Sequence, residues 1–120
     1  LTGPDSQTYT FADSANNVFT GQVTDMSGLF RYTFFTGDIA YWDLTSVTDT
    51  SNMFEQSDFD SDISGWDTSN VTNMDSMFDS ALFGQDISIW DVESVTSCSN
   101  FAFASDLTAS QIPNFTACTP

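Results

Sequence analysis

The sequence predicts a repeat solenoid with one short parallel strand and one short helical turn in each 24-residue coil. Three observations predict it. Val23, Val47, Val71 and Val95 are each followed by threonine and stand 24 residues apart; six apolar columns keep that register; and the last copy loses a D-I-x-x-W-D block, as a terminal repeat does when nothing stacks beyond it.

The first three copies read VTDMSGLFRYTFFTGDIAYWDLTS, VTDTSNMFEQSDFDSDISGWDTSN and VTNMDSMFDSALFGQDISIWDVES; the fourth reads VTSCSNFAFASDLTASQIPNFTAC. The columns are Val23/Val47/Val71/Val95, Leu29/Met53/Met77/Phe101, Phe30/Phe54/Phe78, Phe35/Phe59/Phe83/Leu107, Ile39/Ile63/Ile87 and Trp42/Trp66/Trp90. Stacked coils bury apolar side chains only against the same positions next door, so these columns are the predicted core.

Residues 1–22 fall outside the 24-residue frame but carry Phe11, Val18 and Phe19, which predict an N-terminal cap rather than a solvated leader. Residues 23–118 form the four-repeat body, with 95–118 as its C-terminal cap. Within a coil, Met74, Met77, Phe78 and Ala81 have the i, i+3, i+4, i+7 spacing of one helical face, with Ser51 and Asp75 placed to cap its start. Residues 83–90 turn Ile87 inward with Asp86 and Ser88 outward, the period-two pattern of a strand.

The block F-x-x-D-I-S-x-W-D-T-S-N-V-T-N-M-x-x-M-F, standing at residues 59–78, closely resembles the 24- to 26-residue repeats of bacterial and mycoplasmal surface proteins, which are similar to BspA-like leucine-rich repeats. The resemblance covers residues 23 to 97 well and the last copy in part. It implies a right-handed, leucine-rich-repeat-like solenoid within a secreted or surface-exposed protein, with adhesion as the usual assignment and no catalytic residues to carry over.

Seventeen acidic residues face one Arg, with no Lys or His, for a formal net charge of −16. Nothing offsets phosphate repulsion, which excludes nucleic acid and anionic lipid as natural partners. No stretch of 18 or more apolar residues is present to span a membrane. Leu1 follows no charged and apolar leader, so a signal peptide, if the protein has one, is removed or lies outside this sequence.

Cys98 and Cys118 both lie in the divergent last copy and predict a disulfide closing it; a reactive thiol or metal pair would need a base or His that the chain lacks. Asn70-Val-Thr72 and Asn114-Phe-Thr116 are glycosylation sequons, although the first belongs to the repeat itself, where Asn70 also reads as a turn residue.

Repetition stacks carboxylates. Asp43/Asp67/Asp91 read as turn residues bonded to their own backbone. Asp38, Asp62 and Asp86, flanked by Ser64 and Ser88, are expected on a solvent-facing sheet surface as the binding face. Charges 5 Å apart repel by about 0.8 kcal/mol in water and roughly 3 kcal/mol at an effective dielectric of 20, so hydrogen bonds, solvation or a bound cation must offset them. Calcium is the cation such oxygen ligands suit. Asp58, Asp60 and Asp62 resemble the start of a calcium loop, but Ile63 and Ser69 stand where its glycine and final glutamate belong. No cofactor is required.

The threonines Thr24, Thr48, Thr72 and Thr96 resemble an ice-binding rank, but the next rank, Leu44, Thr68, Val92 and Thr116, alternates in polarity. A glycosidase-like carboxylate pair is the sole chemically available enzymatic device. Asp copied into every coil does not make the single break in pattern that an active site makes; Arg31, Tyr32, Tyr41, Glu55 and Asp58 are the singular features. The sequence thus predicts a non-enzymatic extracellular binding or adhesion module for a protein or glycan partner, or else a building block that self-assembles into a surface filament or array.

Overall fold

The computed structural model describes residues 23–120; the N-terminal cap expected over 1–22 lies outside them. Neighbouring copies are joined first at the Val-Thr pair. The N–H of Thr48 donates to Thr24 C=O, Thr72 to Thr48 and Thr96 to Thr72, at 2.8, 2.8 and 2.9 Å. Just beyond, isolated parallel bridges pair Asp25 with Asp49, Asp49 with Asn73 and Asn73 with Ser97.

The stretch expected to be a helical turn is a ribbon of successive turns. In the third copy the N–H groups of Met77, Asp79 and Ala81 bond back three residues, to Met74, Ser76 and Phe78. The alternate N–H groups, those of Met74, Ser76, Phe78 and Ser80, cross instead to the carbonyls of Ser97, Ser99, Phe101 and Phe103 in the fourth copy. Two residues per copy make this possible by taking positive φ: Gly28, Asn52, Ser76 and Asn100 in one column (54 to 64°), Tyr32, Gln56, Ser80 and Ala104 in another (53 to 61°). Positive φ at the third residue of a turn belongs to type II geometry and favours Gly or Asn, as three residues of the first column are. A helix needs every N–H for its own i−4 carbonyl. Here half of them are committed to the next copy.

The expected strand at residues 83–90 is also absent. Trp90 N–H folds back to Ile87 C=O at 3.1 Å, and Asp86 Oδ1 accepts the N–H of Ser88 at 2.9 Å. A short polar side chain that bonds nearby backbone competes with a ladder, and does so at the corresponding positions of the other copies. These findings overturn the fold class read from the sequence. The described residues contain no helix and no strand beyond single bridges; they form a compact body of turns, 37 × 26 × 20 Å, rather than a helix-and-strand solenoid. Ser51 and Asp75 have no helix to cap; their N–H groups bond to Asp49 and Asn73 side chains.

The apolar columns meet inside this body. Phe30, Phe54 and Phe78 stack with centroids 5.5 and 5.3 Å apart, and Phe35, Phe59 and Phe83 at 6.1 and 6.0 Å. Rungs of 4.6, 4.6 and 4.5 Å join the two ladders within each copy. Burying each such ring is worth roughly 1.5–3 kcal/mol. Trp66 stacks on Trp90 at 6.1 Å, and their indole N–H groups donate to Ile39 and Ile63 carbonyls, each at 3.0 Å.

The fourth copy closes the far end. Phe101 takes the methionine column and meets Phe78 edge-on at 5.4 Å, while Phe115 covers Phe101 at 4.9 Å. Cys98 and Cys118 are disulfide-bonded with Cα atoms 5.9 Å apart, fixing the returning segment. Gln111 adds a polar tie, accepting from Ile87 N–H through its backbone and donating its amide to Gly84 C=O.

Candidate functional site: an acidic cleft between two copies

Both repeated Asp columns are turn residues. Asp38, Asp62 and Asp86 accept the N–H two residues on, from Ala40, Ser64 and Ser88, each at 2.9 Å. Asp43 and Asp67 accept both the N–H and the hydroxyl of Thr45 and Ser69, and Asp91 accepts the N–H of Glu93. The Asp38/Asp62/Asp86 column is therefore exposed, as expected, but on turns rather than a sheet.

These bonds answer the repulsion. The Ser69 hydroxyl and N–H hold Asp67 below the ordinary carboxylate range although Asp43 pushes it the other way. Asp43 is lowered by the Thr45 hydroxyl and N–H, Asp62 by the Ser64 N–H and hydroxyl, and Asp86 by the Ser88 hydroxyl and N–H. Hydrogen bonding to the charged form wins locally over like charge.

Asp62, Ser64, Asp86 and Ser88 come together, with Gln85 and Ile89, around an open cleft of about 310 Å³ between the second and third copies. Each carboxylate is held through Oδ1 by the N–H of its own turn. Ile89 stands 77 % exposed beside them. Its column holds Tyr41, 53 % exposed, in the first copy and Gly65 in the second, where an added Cβ would meet nothing within 4 Å. Gln85 and Ile89 were not foreseen; their columns read Gly37, Ser61, Gln85, Ala109 and Tyr41, Gly65, Ile89, Pro113, a different residue in every copy, so the repeat gave no signal there. Asp38 does not line the cleft.

Asp58, Asp60 and Asp62 do not converge. Asp60 reaches the next copy, accepting from Gly84 N–H at 2.8 Å and the Gln85 amide at 3.2 Å, while Asp62 is held in its own turn. Successive residues of a loop make a cation site only if the chain curls around one point. No group of three metal-ligating side chains occurs among the described residues. The calcium-loop reading of these three residues is corrected accordingly.

The threonine rank is occupied with backbone: the hydroxyls of Thr48 and Thr72 donate to Thr24 and Thr48 carbonyls, at 3.3 and 3.1 Å. Its neighbour is interior, with Leu44, Thr68 and Val92 buried, so no second exposed rank backs an ice-binding face. Asn70 is exposed but its amide donates to Thr45 C=O, the turn role weighed against the sequon; Asn114 is exposed. Among the singular residues, Arg31 pairs with Glu55 at 2.9 Å and lies 4.6 Å over the Tyr32 ring.

The disulfide is compatible with an oxidising, extracellular location. No helix among the described residues is long and apolar enough to cross a membrane. No curated protein and no solved structure matches the chain. Residues 5–115, nearly its whole length, match the family described as Mycoplasma protein of unknown function, DUF285, and the chain belongs to that family.

Proposed function

We propose that this chain is a non-enzymatic binding module of a secreted or cell-surface protein, contacting a partner through the cleft between its second and third copies. The observation that carries the reading is the convergence of Asp62, Ser64, Gln85, Asp86, Ser88 and Ile89 at one opening. Turn bonds fix the carboxylates of Asp62 and Asp86 in place, so the acceptors are pre-organised and little ordering entropy is lost on binding. Ile89 supplies apolar surface next to them. Acceptors and hydroxyls beside an apolar shoulder suit a glycan or a polar protein loop, and a net charge of −16 directs the choice to neutral or basic partners. Adhesion, the assignment common among the surface repeats this sequence resembles, is the corresponding biological role. Calcium enters as a diffuse counter-ion of the acidic surface.

The test is capture by the immobilised chain of a panel of neutral glycans and basic peptides, with Asp62→Asn/Asp86→Asn and Ile89→Asp as variants. Asn preserves the turn acceptor, so the thermal melt should move little while capture is lost. Capture undiminished in both variants places the contact elsewhere.

A further inference from the structure

We infer that Asn114 is an acceptor for an N-linked glycan and that Asn70, which carries the same Asn-x-Thr signature, is not. The inference is independent of the cleft, which neither residue lines.

An Asn-x-Thr segment works as an acceptor through two groups, the Asn amide that takes the sugar and the Thr hydroxyl two residues on. In Asn70-Val71-Thr72 both are spent on holding neighbouring copies together. The Asn70 amide donates to Thr45 C=O, and the Thr72 hydroxyl donates to Thr48 C=O at 3.1 Å. Val71, between them, is fully buried in the valine column. Presenting this segment to an enzyme means breaking both bonds and drawing Val71 out of the core. A sugar on Nδ2 would then have to lie against the copy that accepts its hydrogen.

In Asn114-Phe115-Thr116 the same two groups have no such duty. Asn114 and Thr116 are exposed, and no hydrogen bond among the described residues holds either side chain. Phe115 N–H donates to Pro113 C=O at 3.2 Å, a three-residue turn with Asn114 at its tip. The flanks of that tip are anchored: Pro113 is buried, Phe115 packs on Phe101 at 4.9 Å, and Cys118 is bonded to Cys98. The segment lies in the last copy, outside the three junctions between copies, so a bulky, hydrated substituent there costs none of the bonds that join them.

The donor is an oligosaccharide carried on a polyprenyl pyrophosphate, the co-reactant of a secretory-membrane transferase. Asn114 Nδ2 attacks the anomeric carbon; the N–C bond forms as the C–O bond to pyrophosphate breaks, the electron pair leaves with the pyrophosphate, and a base of the transferase takes one amide proton. Nothing is oxidised or reduced. Transfer that precedes folding meets both segments open, which makes Asn70 the discriminating position. A chain sugared at Asn70 loses a bond between copies and should be depleted from the folded, secreted pool.

The test is secretion of the full chain from a eukaryotic host, recovery of the folded, disulfide-bonded fraction, and intact-mass measurement with peptide mapping before and after peptide N-glycosidase. That enzyme turns a sugar-bearing Asn into Asp and so marks the site. One oligosaccharide should be found, at Asn114, with Asn70 bare in the same sample. Thr116→Ala, a change at an exposed residue, should remove the sugar and leave the thermal melt nearly unchanged. A bare Asn114 in the unsubstituted secreted chain overturns the inference, and so does sugar on Asn70 in the folded fraction.

Discussion

The indole N–H of Trp90 donates to the carbonyl of Ile63, one copy back, at 3.0 Å, and Trp66 does the same to Ile39. The corresponding N–H of Trp42 is buried with no partner among the described residues. Three identical residues in one column thus differ in one bond. Replacing Trp66 or Trp90 by Phe removes a buried bond, while the Ile39 and Ile63 carbonyls keep the backbone N–H groups of Trp42 and Trp66, and should cost about 0.5–1.5 kcal/mol more than Trp42→Phe, which removes no such bond. Urea melts of the three variants check this; equal losses would mean that packing alone sets the column.

Positive φ at non-glycine residues stores strain. Gln56, Ser80 and Ala104 hold φ of 53, 58 and 57°, a region that costs an ordinary residue roughly 1–2 kcal/mol. Glycine there relieves the strain but loses about 0.5–1 kcal/mol of chain entropy. Each change to Gly should therefore raise stability by up to about 1 kcal/mol. Gly28→Ala should do the opposite, although nothing lies within 4 Å of the new Cβ, because its φ is 64°. Denaturation midpoints decide the sign.

Ser57 is 1 % exposed and its hydroxyl has no partner among the described residues, while the next copy carries Ala81 at the same position. An unpaired buried hydroxyl costs about 1–3 kcal/mol. Ser57→Ala should accordingly raise the melting temperature, and a fall would show that the hydroxyl is satisfied by water.

Acid should destabilise the fold. Asp25, lowered by the hydroxyl and N–H of Ser27, joins Asp43, Asp62, Asp67 and Asp86 in having a folded-state pKa below the ordinary carboxylate range. A depressed carboxylate contributes stability above its unfolded pKa and loses it as pH falls through the folded value, because the unfolded chain then binds more protons. Relief of general repulsion acts the other way. About 1 M salt shortens the screening length to about 3 Å and suppresses that second effect while sparing the turn bonds. Under those conditions the melting temperature should fall as pH drops below the ordinary carboxylate range, and the slope should shrink in Asp67→Asn. A rise on acidification would contradict this account.

Calcium should stabilise the chain no more than sodium at equal ionic strength, since Asp60 and Asp62 are held apart by Gly84, Gln85 and Ser64. A larger upward shift of the melting temperature with millimolar calcium would show a specific site after all.

The core was legible because burial is recorded in the kind of residue: a 24-residue period in Phe, Trp, Ile and Val left few other arrangements for Phe30, Phe54 and Phe78. The local conformation was not. Met74, Met77, Phe78 and Ala81 satisfy a helical spacing, yet the same side chains lie inward along a ribbon of three-residue turns, and apolar spacing does not separate the two. The Gly28/Asn52/Ser76/Asn100 column, rich in turn formers, carried the distinguishing signal. Tyr32, Gln56, Ser80 and Ala104 carried none, since their φ is imposed by the bonds on either side. For the site, Asp-x-Ser and Asp-x-Thr foretold turns at Asp67 and Asp43. The cleft takes Gln85 and Ile89 from positions where every copy differs, a matter of shape that no single residue announces.

Because the bonds that join neighbours are the same at each internal boundary, a gene for such a chain can lose or duplicate one 24-residue unit by recombination without creating an unfamiliar boundary. An indel of 23 or 25 residues would put every second amide out of phase with its carbonyl. Length can therefore drift in whole steps during descent, while the period itself is held fixed.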